Sequence, residues 1–162
     1  MTLLRATTTR RPEREAALLE AVLEIADSGM TYRRRYLATV QAAPVVDLVL
    51  TDETNPRSVM YQVRALVEHI RPLPLLPGTG TRSPQLRLAV AILNELELAE
   101  VEHWCLPDDN GERPLLQALL RKLGTQLSAL SDSLSDSYLS HATVSRHLRQ
   151  DELRIPPRHR DS

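Results

Sequence analysis

The sequence predicts an all-α protein, an up-and-down bundle of five or six helices, on three observations. Leu116, Leu120, Leu123, Leu127, Leu130 and Leu134 alternate steps of four and three, the seam of a helix packed nearly antiparallel against its neighbours. Apolar residues make up 42% of the chain, but Phe is absent and aromatics are 3%, so the core rests on Leu, Val, Ile and Ala, which favours helices. The one β-like run, PVVDLVLTD at 44–52, has no second strand to pair with, so it is read as a short buried helix. One compact domain is expected over 12–141, between a disordered lead-in or linker remnant at 1–11 and an Arg-rich flexible tail at 142–162.

The first helix starts at Pro12, with Glu13 and Glu15 where carboxylates suit the positive end of the dipole. Leu18, Leu19, Val22, Leu23 and Ile25 give it an apolar face, and Gly29 is expected to stop it. A second helix is expected over 31–41, its Tyr32, Tyr36, Leu37 and Val40 turned to the core, until Pro44 breaks it. In TDETNPRSVMYQ, residues 51–62, Asn55 reads as an N-cap with Pro56 at the first helical position, followed by Val59, Val63, Leu66, Val67 and Ile70 at helical spacing. A loop rich in Pro and Gly follows from Arg71, and Ser83 caps a long helix running to about Cys105 with Leu86, Ala89, Val90, Leu93, Leu96 and Leu98 inside. The last helix runs from about Pro114 to His141, and its stripe of Gly124, Ser128, Ser131 and Ser135 would admit a partner helix, including one from a second copy in a homo-oligomer.

Formal net charge is -1, so no overall field draws the chain to nucleic acid or an anionic membrane, and stacking aromatics are scarce. No apolar run approaches membrane-spanning length, and the start lacks the apolar core of a secretion signal. Cys105 is the lone cysteine, which excludes an internal disulfide, and a cytoplasmic location is expected. The chain has no GxxxxGK[ST], GxSxG, HExxH or paired CxxC, its five His are scattered, and neither a metal nor a cofactor is expected.

Candidate binding residues come from two stretches. TYRRRY at 31–36 sets Tyr32, Arg33 and Tyr36 together, a workable cradle for a carboxylate or phosphate; the plainer reading has the tyrosines in the core and the arginines in water. At the Asn55 turn, Arg57 and free first-turn N–H groups could hold an anion, while the plainer reading is a cap with a surface pair between Arg64 and Glu68. Asp47 joins Tyr32, Arg33, Tyr36, Asn55 and Arg57 in a postulated pocket, with Arg64 along the helix that follows. Asp132 and Asp136 share a face, but one turned away from the leucine seam and so toward solvent. Glu95, Glu97, Glu100, Glu102, Asp108 and Asp109 occur with no intervening Lys or Arg, either a solvated face or a docking surface for a basic partner.

In order and spacing, TYRRRY, VVDLVLTDETNPRSVMYQVRALVEHI with its proline-rich sequel, and LSDSLSDSYLSH resemble the later half of the bacterial Alpha-E family. The resemblance implies an all-helical protein encoded beside, or fused behind, circularly permuted ATP-grasp proteins, and a role in making or modifying peptides by amide ligation. The Glu-Arg motif that names the family lies in its first helix within a Tyr-Trp-containing, Arg-rich segment. Glu13 and Arg14 in RRPEREAALL lack that setting, so the chain is expected to be a C-terminal piece of a longer protein. Two functions are then in play. One is a non-catalytic helical module working with the ATP-grasp ligase region; the other is an enzyme domain whose Arg/Tyr/Asp pocket binds an acidic peptide or phosphorylated intermediate.

Overall fold

The structure is a computed structural model that describes residues 4, 11–36, 39–75 and 82–139. Among these residues it is all-helical, with no strand. Most of the expected lead-in and all of the expected tail lie outside the described residues, although Leu4 is buried in the core.

Helix α1, Pro12–Ile25, starts at its proline with Glu13 and Glu15 in the first turn and buries Leu19 and Leu23. It is stopped two residues before Gly29. Asp27 takes the left-handed conformation, φ 48, while its N–H bonds the Glu24 carbonyl and the Ser28 N–H bonds that of Leu23. That pair of bonds closes a helix C-terminus, usually around a glycine. Gly29 instead opens α2, Gly29–Tyr36, and residues 39–41 that follow are not helical.

The β-rich run is helical, as read. Pro44 does not end a helix before it but sits inside α3, Ala42–Val46, in the first turn where its missing N–H costs nothing. From Asp47 to Thr51 the chain widens into a π turn, burying Leu48, Val49 and Leu50. Helix α4, Val59–Ile70, begins later than Asn55 suggested, because Ser58 rather than Asn55 caps it, its hydroxyl accepting from the Tyr61 N–H at 3.0 Å.

Helix α5, Pro84–Glu97, is capped by Ser83 as expected. It is shorter than its periodicity suggested. The chain leaves the helix at Leu98, which is 84% exposed rather than inside, and resumes as a single turn, α6, Val101–Trp104. In the next loop the Asp108 carboxylate accepts the N–H groups of Asn110 and Glu112, and Gly111 supplies the positive φ of 73 that the reversal needs. Helix α7, Pro114–Leu134, buries Leu116, Leu119, Leu120, Leu123 and Leu130 and runs into a second π turn, Ser135–Leu139.

α4 packs on α5 and α5 on α7, the two main helix contacts, and side chains fix the second as antiparallel. Gln85 at the start of α5 donates to the Ser133 carbonyl at the end of α7 at 2.9 Å, and Lys122 within α7 pairs with Glu95 near the end of α5. Arg64 of α4 reaches Glu97 at the end of α5. The small-residue stripe faces outward, with open space where a side chain on Gly124 would stand. Asp132 and Asp136 are exposed, as read.

Candidate functional site

The π turn positions the site. Thr51 donates its hydroxyl to Asp47 Oδ1 at 2.6 Å, and the Tyr36 phenol, brought across by α2, donates to Asp47 Oδ2 at 3.2 Å. Burial, then the neighbouring Asp47 charge, raise the Tyr36 pKa above the usual phenol value, so the hydroxyl stays a donor at neutral pH. Extra-wide turns of this kind recur at functional sites because they re-aim a side chain out of the regular helical progression. Here Asp47, Thr51 and Tyr36 line a cleft of about 440 Å³ whose other lining includes Glu53, Met60, Leu96, Glu97, Val101 and Glu102.

One guanidinium spans the rim. Arg64 gives one N–H to each Glu53 oxygen, at 2.7 and 2.9 Å, and a third to Glu97 at 3.1 Å. These bonds hold the Glu53 carboxyl below its ordinary pKa and raise that of Arg64, so both stay charged. Arg64 therefore pairs with Glu53 and Glu97, not with Glu68, which lies beside Arg71 instead.

The postulated six-residue pocket does not form, because its members serve different corners. Tyr36 and Asp47 meet in the cleft. Tyr32 stacks at a tilt on Tyr36, centroids 4.9 Å apart, but is 2% exposed, and its hydroxyl accepts from the Gln41 N–H at 3.2 Å. Exposed Arg33 lines, with Tyr32, a separate groove along α1 and α2. Asn55 is buried at 4% and ties the loop inward, donating to the Leu48 carbonyl at 2.9 Å and Ser28 Oγ at 3.2 Å. Its side-chain oxygen takes the Arg57 N–H, one of the groups that was to hold an anion, and the Arg57 side chain pairs with Asp27 in solvent. Arg35 of α2 ties that helix to the loop before Asn55, pairing with Asp52 and donating to Thr54 at 2.6 Å.

The sequence reading missed Thr51, Glu53, Glu97 and Glu102 as cleft residues. Glu97 and Glu102 belong to the acidic run, whose lack of basic neighbours was a usable signal. That run is only partly free of cations in the fold, since Lys122 meets Glu95 and Arg64 meets Glu97. Among the described residues no group of three or more side chains could hold a metal ion, and no helix is long and apolar enough to cross a membrane.

Comparison with known proteins agrees with the helical architecture. Uncharacterised proteins of Mycobacterium bovis and of two Mycobacterium tuberculosis strains are each 32% identical over 140 residues, 85% of this chain but 16% of each relative. The chain thus spans about a sixth of the length of the curated relatives it matches. No solved structure matches it. The profile of a family described as a predicted alpha-helical domain with a conserved ER motif matches residues 1–139, which takes in the first helix as well as the stretches that carry the resemblance. Every described helix lies within that match, and the chain belongs to the Alpha-E family.

Proposed function

We propose that this chain is a non-catalytic helical module that docks onto, or extends, a circularly permuted ATP-grasp amide ligase. The observation that carries the reading is that the matched segment makes up 16% of each mycobacterial relative. A helical segment of this kind therefore occurs within a much longer polypeptide, beside other parts whose work it can serve. Family resemblance supplies the partner. The cleft's chemistry favours docking over the alternative of an enzyme pocket for an acidic peptide or phosphorylated intermediate, because Asp47, Glu53, Glu97 and Glu102 would repel such a ligand.

Mixing the chain with the ATP-grasp region encoded in the same genome tests the proposal. Titration calorimetry is expected to show association, and the ligation rate is expected to change on adding the chain. No association together with an unchanged rate would overturn it.

A further inference from the structure

Resting on that reading, we propose that the cleft formed by the π turn, the Glu53 loop and the α5 to α6 junction receives an arginine or lysine side chain from a basic segment of the protein partner. The cleft, of about 440 Å³, has room for a side chain. Its lining has two kinds of surface. Met60, Leu96 and Val101 offer apolar contact suited to a methylene stem. Asp47, Glu53, Glu97 and Glu102 supply carboxylates from the π turn, the loop after it and the two sides of the α5 to α6 junction, and among the described residues no basic residue lines it. Among the described residues, the ion pairs these carboxylates make are those of Glu53 and Glu97 with Arg64 at the rim.

Arg64 also shows that this wall accepts a guanidinium, since Glu53 takes it with both oxygens. Opposite, Asp47 is held by Thr51 and Tyr36, and each of its oxygens has a second acceptor direction. A cationic side chain entering the cleft therefore meets apolar contact along its stem and unsaturated carboxylates at its head. Phosphate or a carboxylate would be opposed by these four carboxylates.

The test uses the isotope-labelled full chain and two probes, N-acetyl-arginine amide and its uncharged citrulline counterpart, followed by amide chemical shifts. The arginine probe is expected to shift the amides of Asp47, Leu96, Glu97 and Glu102, weakening as salt is added, and the citrulline probe is not. Asp47→Asn with Glu102→Gln should weaken binding roughly fivefold or more, and Arg64→Gln, which frees two carboxylates, should strengthen it. Circular dichroism checks that each variant folds, and the salt dependence of the unaltered chain stands without any variant. Equal shifts from both probes, or shifts scattered over the surface carboxylates, would overturn the inference. If the ATP-grasp region binds the chain and the Asp47/Glu102 variant equally well, the cleft assignment fails and the module reading stands. If the arginine probe maps to the cleft while the ATP-grasp region does not bind, the partner is wrong and the cleft assignment stands.

Discussion

At 4% exposure Asn55 has little access to water, so its amide must find partners within the protein, and it finds the Leu48 carbonyl, Ser28 Oγ and the Arg57 N–H. Asn followed by Pro looks the same in sequence whether the amide caps a helix or braces a loop against one. The difference is made by Ser58, a better-placed cap three residues on, and by the carbonyl that the π turn presents. Asp52 illustrates the charged version of the same economy. Burial alone would raise its pKa, but the Thr54 hydroxyl and N–H, followed by the Arg35 guanidinium, outweigh it and hold the carboxyl below its ordinary value. A group whose pKa is lowered on folding favours the folded state above its unfolded pKa, and that contribution disappears as pH falls through the folded value. Asp52→Asn is therefore expected to be less stable than the unaltered chain at about pH 7, with the gap closing as pH falls below about 4. Urea unfolding across that range measures it, and a gap that stays constant would show that the charge on Asp52 is not what holds Arg35.

The stop of α1 carries its own prediction at the scale of the element. Asp27 occupies a left-handed position where a residue with a side chain is strained and glycine is not. Asp27→Gly should stabilise the protein by about 0.5 kcal/mol and Asp27→Ala should destabilise it, both read from urea midpoints. The ion pair with Arg57 that both variants lose is 60% and 78% exposed, so it contributes little; two equal losses would mean that it, not the backbone, dominates. Helix existence was legible throughout, because the apolar spacing of α1, α4, α5 and α7 is set by which face meets the core. Boundaries were less so. Leu98 continues the α5 pattern but falls on the solvent side once the chain leaves the helix after Glu97, and periodicity alone carries no sign of that departure. Gly29 and Pro44 are breakers by type, yet each sits at a helix start, where their backbone restrictions do no harm. The cleft was half legible for a related reason. Tyr36 and Asp47 were named as candidates, whereas Glu97 and Glu102 join them only through the packing of α5 and α6, which no local pattern encodes.

Across the whole molecule, the bundle of α4, α5 and α7 must also hold α1, which packs on α2 and α3. Part of that attachment is apolar, through Leu19 and Leu23, and part is ionic. Arg113, in the loop entering α7, pairs with Glu15 of α1 at 2.5 Å and gives its Nε–H to the Cys105 carbonyl at 2.9 Å. The Arg113 and Glu15 side chains are only 7% and 13% exposed, so the pair joins the first turn of α1 to the loop before α7 within a largely dry contact. Such a pair need not favour folding by much, because removing two charges from water offsets their attraction. Removing one partner is a different matter, since the other is then buried alone. Glu15→Ala is expected to lower unfolding free energy by about 3 kcal/mol. Replacing both partners, Glu15→Leu with Arg113→Met, should recover much of that loss, but not all, because Cys105 still loses the Arg113 donor. Denaturant unfolding of the single and double variants separates the two contributions. If the double variant is as unstable as Glu15→Ala, the cost lies in lost packing between α1 and the loop; if Glu15→Ala costs nothing, α1 is held by its leucines alone.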